Sequence, residues 1–117
     1  DLKNTYGDIS ILLEDREVNT GKMFLGLLCG DHTKTAIDTQ FNTGTVAGIC
    51  GIIVAEGFLP KFVNSFAWGG KFGSPVYKIS KAFAVAEKVM QRRKKTLLEE
   101  EKVLMQREHE RSIAFQK

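Results

Sequence analysis

Between Cys29 and Gly57 the apolar, small and polar positions recur every six residues. Cut into sixes, the chain reads CGDHTK, TAIDTQ, FNTGTV, AGICGI and then IVAEG. The first column holds Cys29, Thr35, Phe41, Ala47 and Ile53, and the second holds Gly30, Ala36, Asn42, Gly48 and Val54. The fifth column, Thr33, Thr39, Thr45, Gly51 and Gly57, is small throughout. Neither the 3.6-residue period of a helix nor the two-residue alternation of a strand gives such columns. A period of six predicts a hexapeptide parallel β-helix, in which each hexad forms one side of a triangular coil. First-column side chains then stack inward, and small fifth-column residues let the chain bend at each corner. Gly or Asn in the second column is expected to supply unusual dihedrals there. Gln40, in the sixth column, is expected to face solvent.

The flanks have other patterns. Residues 8–13, Asp-Ile-Ser-Ile-Leu-Leu, a charged turn over 14–17 and Val-Asn-Thr-Gly over 18–21 predict a hairpin protruding from the coil. The apolar run after Lys22 fits the preceding hexad, with Met23 in the first column. After Gly57 the period stops at Phe58-Leu-Pro60, where proline removes a backbone donor and constrains the residue before it. The stretch from Lys61 to Pro75, with Phe62, Phe66, Trp68, Gly69, Gly70 and Phe72, is too apolar to be left in water. It is expected to cap the open coil end, whose last strand is otherwise an unprotected edge, or to contribute to a subunit interface or a ligand cleft.

From Ser80, a suitable N-cap, the residues Ala82, Val85, Ala86, Val89 and Met90 fall on one helical stripe. The cluster Arg92-Arg93-Lys94-Lys95 closes that helix, where cations suit the dipole. Thr96 with Glu99 three residues on predicts a capping box and a second helix. The fold class is therefore mainly β: parallel β-helix coils with an inserted hairpin over 1–59, an aromatic and glycine-rich cap over 60–75, and a helical tail over 76–117.

Composition changes this picture little. The hydrophobic fraction of 43% is ordinary for a globular domain, and the net charge of +3 is unevenly placed. Residues 1–75 carry 6 basic and 8 acidic side chains, whereas residues 76–117 carry 11 and 6. The basic cluster lacks interleaved aromatics, and Glu99-Glu100-Glu101 beside it would repel phosphate, so a solvated face is expected rather than a nucleic-acid surface. No run reaches the roughly 18 apolar residues of a membrane span and the start lacks signal-peptide character, so a cytoplasmic protein is expected. Cys29 and Cys50 fall in different columns and are expected to be reduced thiols. Two histidines 77 positions apart, His32 and His109, make no metal-ligand spacing, and no metal is expected.

The run from Cys29 to Val46, followed by Gly57-Phe-Leu-Pro, Ser65-Phe-Ala-Trp-Gly-Gly and residues 78–93, resembles a known family. It is similar to the C-terminal left-handed β-helix of enzymes that couple a sugar-phosphate nucleotidyltransferase to an amino-sugar-phosphate acetyltransferase. The resemblance implies a left-handed coil, a homotrimer, and acetyl-CoA bound in clefts between neighbouring β-helices. It also implies an amino-sugar phosphate or a sugar nucleotide as substrate of the parent protein. Nothing like the family's glycine-rich nucleotidyltransferase stretch is present, so the chain looks like a C-terminal fragment or a truncated paralogue.

In register with the family, Ile37 and Ala55 fall where its coils meet the CoA arm. Asp1 stands where the family usually has an asparagine that contacts the sugar, and the family's general-base histidine lies upstream of Asp1. His32 has two readings. Imidazole beside Asp31 suits a base that deprotonates an amine for acyl transfer; a histidine at a coil corner also suits a solvated or interface position. His109 has no partner legible in the sequence. Two functions follow as expectations: an acyltransferase module acting on an amino-sugar phosphate, or a trimerisation scaffold without chemistry of its own.

Overall fold

The computed structural model describes residues 5–71 and 73–116, and the order of elements is a hairpin, six two-residue strands and two helices. The hairpin pairs β1 (Ser10–Leu13) with β2 (Arg16–Asn19) antiparallel, Leu13 opposite Arg16. Its turn is Glu14-Asp15, tighter than the 14–17 span expected, and Glu14 takes a left-handed φ of +59°.

The next strands are β3 (Leu28–Cys29), β4 (Lys34–Thr35), β5 (Val46–Ala47), β6 (Ile52–Ile53), β7 (Phe62–Val63) and β8 (Trp68–Gly69). They form two parallel three-stranded sheets, β3-β5-β7 and β4-β6-β8, with Gln40 bridged in parallel to Phe58 as a third line of pairing. Leu28 pairs with Val46 and Val46 with Phe62; Lys34 pairs with Ile52 and Ile52 with Trp68. The first return along each sheet therefore takes three hexads, and the second takes two residues fewer. The shortening lies between Phe58 and Phe62 and contains Pro60. Proline thus trims one side rather than ending the stack: Phe62 and Trp68, expected in a capping loop, sit in strands that continue both sheets.

Inward-facing residues build one core: Ala47, Ile53 and Leu59 of the first column, Val63 paired with Ala47, and the corner residue Ala67 are buried, with Leu27, Phe41 and Ala55 packed against them. In the first strands the equivalent residues Cys29 and Thr35 are exposed, because no strand covers them among the described residues. Nor does the Met23 hexad form a strand; Met23 is 42% exposed.

The corners correct the column assignment. Left-handed φ values fall at Gly26, His32, Asp38, Gly44 and Cys50, every sixth residue, and then at Gly57 and Phe66. All of the first five are fourth-column residues, not the second-column ones expected. At two corners a fifth-column N–H bonds back three residues, Thr45 to the Asn42 carbonyl at 3.2 Å and Ala67 to that of Asn64 at 3.4 Å. The left-handed residue stands third in each of these turns, the position that demands positive φ in a type II turn. The threonine hydroxyls complete the corners: Thr39 Oγ1 donates to the Ala36 carbonyl and Thr45 Oγ1 to that of Asn42, each at 2.6 Å.

Second-column glycines are needed for a different reason. A Cβ on Gly48 would stand 2.2 Å from Ser65 Oγ and 2.6 Å from Ser65 N, and one on Gly30 would stand 2.6 Å from the Gly48 carbonyl. Neither glycine has a left-handed φ; it is the close passage of successive strands that excludes a side chain.

Helix α1 (Ile79–Gln91) starts at Lys78, with no side-chain cap, so Ser80 lies inside the first turn rather than at its head. It ends as expected within the basic cluster, by a Schellman pattern: Lys94 N–H bonds to Gln91 O at 2.9 Å, Lys95 N–H to Met90 O at 3.0 Å, and Lys94 takes φ +55°. Helix α2 (Glu99–Gln116) starts two residues later than the Thr96 box predicts. Its cap is Leu98, whose N–H donates to Glu101 Oε1 at 3.2 Å. The helices and the corner between the two sheets form a second core of Cys50, Phe66, Tyr77, Ala82, Ala86, Leu97 and Met105. Among the described residues no helix is long and apolar enough to cross a membrane.

Candidate functional site at the His32 corner

The corner between the two sheets stacks three fourth-position residues, since the pairing places His32, Cys50 and Phe66 at equivalent points of successive turns. His32 suits its left-handed φ, because histidine, with asparagine and aspartate, is among the side chains that visit this region most readily. Cys50 and Phe66 gain no such local help and are held there by burial, at 2% and 0% exposure. Helix α2 lies over the column: His109 meets the Phe66 ring edge-on at 4.8 Å and its Nε2 bonds to the Tyr77 carbonyl at 3.2 Å.

At the open end of the column, His32 lines a cavity of about 350 Å³ with Asp31, Ile49 and the α2 side chains Glu101, Leu104, Met105 and Glu108. Three carboxylates thus share the cavity lining with His32, and among the described residues none is hydrogen-bonded to the imidazole. Lys34 Nζ donates to the His32 carbonyl at 3.2 Å, which fixes the corner rather than the ring. Glu108 is committed elsewhere, accepting Ser65 Oγ at 2.8 Å and Arg111 at 2.7 and 2.8 Å.

Cys50 is the other nucleophilic group of the corner. Burial pushes its thiol up to about 11, with Lys34 opposing and Asp31 adding to the shift. The sulfur is thus protonated and inert at neutral pH. Both thiols are free, Cys29 exposed and Cys50 buried. Among the described residues no group of three His, Cys, Asp or Glu side chains is placed to hold a metal ion.

Ile37 and Ala55 lie on another corner, after β4 and β6, one three-hexad return apart. Ile37 is 95% exposed, whereas Ala55 is half-buried and packs on the interior core. The fold brings these two together and leaves His32 at a different corner. Asp1 lies outside the described residues.

Sequence reasoning missed the polar chain that ties α2 to the sheets. Asn64 Nδ2 donates to the Ser112 carbonyl at 2.9 Å, Ser65 Oγ accepts Ile49 N–H at 3.0 Å and donates to Glu108, and Arg111 pairs with both Glu108 and Glu14. The Glu108/Arg111 spacing of three on one helix was a legible signal. The partner Ser65 was hidden in a stretch read as a cap. Comparison of the chain with protein-family models, with curated proteins and with solved structures finds no match.

Proposed function

We propose that the chain is a left-handed β-helix module that assembles a cytoplasmic sugar-nucleotide enzyme as a homotrimer and carries no acyl-transfer chemistry of its own. The observation that carries this reading is a set of exposed apolar side chains on and beside the β4-β6-β8 sheet, whose outer row also holds Lys34 in register with Ile52. Ile52 and Trp68 are in register on that sheet, Val54 lies on the same side as Ile52, and Trp68 and Val54 are 50% and 62% exposed. Ile37, on the corner after this sheet, and Phe58, on the third line of pairing, are further exposed apolar residues of the kind that an interaction surface uses. The resemblance to trimeric sugar-nucleotide enzymes supplies the number of copies and the hand. In sedimentation at micromolar concentration the chain is expected to run as a trimer, and Val54→Asp to run as a monomer, because an unpaired carboxylate in an apolar interface is costly. A stable monomer of the unaltered chain overturns the proposal.

The acyltransferase reading has one specific observation in its favour, the shared corner of Ile37 and Ala55, where the family's CoA arm would lie. Against it stands His32, which is under α2 and away from that corner. The chain is therefore expected to give no acetyl transfer from acetyl-CoA to glucosamine 1-phosphate. His32→Asn keeps a residue suited to left-handed φ while removing the imidazole. Turnover that this substitution abolishes, with the melting temperature unchanged, would make His32 the base.

A further inference from the structure

The β1–β2 hairpin crosses the outer face of the β3-β5-β7 sheet and is fastened there by two very different attachments. Its base is fixed by burial and backbone bonding. Ile9 is 3% exposed and seats against Gly44, where a Cβ would stand 2.6 Å from Ile9 Cγ2. Ile9 N–H donates to Lys22 O at 2.8 Å, Thr20 N–H and Oγ1 donate to Ile9 O at 3.0 and 2.6 Å, and Lys61 Nζ donates to Ser10 O at 2.5 Å.

The tip is held by charge. Glu14, in the turn, pairs with Arg111 of α2, and the two side chains keep 28% and 50% of their surface exposed. Beneath the tip is a cavity of about 490 Å³ that separates Leu13–Arg16 from Val46, Gly48, Phe62 and Ser65. The tip thus overlies a hollow that is partly open to solvent, with Leu13 and Glu14 half-buried and Asp15 and Arg16 exposed, while Arg111 is shared with Glu108. An exposed pair of this kind contributes about 0.2–1 kcal/mol and weakens with salt, whereas the base rests on a buried side chain and several hydrogen bonds.

We propose that the hairpin is a charge-latched strap: its tip lifts from α2 when the Glu14–Arg111 pair is broken, opening the cavity over Ser65 while the base stays closed. Access to that cavity is then set by ionic strength and by any anion that competes with Glu14 for the guanidinium. The latch is independent of whether the molecule is a trimer or a catalyst.

Hydrogen exchange of the full chain tests it, with Glu14→Gln as the main variant because it leaves the Ser65–Glu108–Arg111 bonds in place. Exchange over residues 11–18 is expected to rise about three- to five-fold in the variant, with Thr20 N–H unchanged. Molar salt is expected to give the same rise in the unaltered chain and none in Glu14→Gln. An equal rise at Thr20, meaning the hairpin detaches as one unit, or no rise at all, overturns the proposal. A second readout is alkylation of Val46→Cys in a Cys29→Ser background; its rate is expected to increase by a similar factor when Glu14→Gln is added. An unchanged rate overturns the opening of the cavity.

Discussion

Gly48→Val is expected to lower the stability of the fold by about 3 kcal/mol, at the upper end of what overpacking costs. The added Cβ alone would stand 2.2 Å from Ser65 Oγ, 2.6 Å from Ser65 N and 2.8 Å from Ser65 Cα, so relief requires the next turn of backbone to move. Ser65 has little freedom to yield, since its hydroxyl bonds both Ile49 N–H and Glu108, and Asn64 beside it holds the Ser112 carbonyl. Valine's two branches would worsen each contact. Gln40→Lys is the control, because Gln40 is exposed at its bridge to Phe58 and a change there is expected to stay within about 0.5 kcal/mol. Denaturant titration of the two variants decides the matter. Similar losses in both, or a Gly48→Val cost under about 1 kcal/mol, would mean that the strands do not stack in this register.

The same residue shows where sequence reading succeeds and where it goes astray. The six-residue period singled out Gly48 as a second-column position closed to a side chain, and the fold does leave no room for a Cβ there. The reason inferred was dihedral freedom, the usual message of an isolated glycine, whereas the reason found is close approach. Left-handed backbone falls instead at fourth-column positions occupied by His32, Asp38 and Cys50 as well as by Gly26 and Gly44. Cysteine carries no local preference for positive φ, so no propensity argument would single out Cys50. Its conformation is imposed by stacking between neighbouring turns, which only the three-dimensional structure displays.

Beyond Gly57 the reading failed for a countable reason. Six-residue counting holds while each return takes three hexads, and it breaks where the side containing Pro60 loses two residues. Phe62 and Trp68 then fall out of phase and look like a loose aromatic segment, although they pair with Val46 and Ile52 in continuous sheets. Helix α1 was legible from its apolar stripe and α2 from its capping signal, each within about two residues at its start. What could not be read was the docking of α2 on the corner, since Ser65, Glu108 and His109 meet partners far along the chain. The candidate site suffered most from this. His32 beside Asp31 looks like a base with its orienting carboxylate in the linear sequence, yet the fold turns that pair into one end of a column sheltered by α2.

Phe66 at the other end of that column carries the second large effect. Its ring is fully buried between Cys50, the α1 residues Ala82 and Ala86, and the edge-on imidazole of His109. Phe66→Ala is therefore expected to cost about 3–5 kcal/mol, the range for emptying an aromatic site in a core. Phe66→Gly removes the same ring and one carbon more, and in an ordinary strand or helix it would be worse than alanine by roughly 0.5–1 kcal/mol. Here the order is expected to reverse. The residue sits at φ +59°, where a Cβ costs about 1–2 kcal/mol and glycine costs nothing sterically. Relief of that strain outweighs the extra backbone entropy, so Phe66→Gly should match Phe66→Ala or exceed it by up to about 1 kcal/mol. Paired denaturation curves read both quantities. A loss below about 1 kcal/mol in Phe66→Ala would show that the helices are not packed on this corner, and a glycine variant clearly weaker than the alanine one would show that the corner is not left-handed in solution.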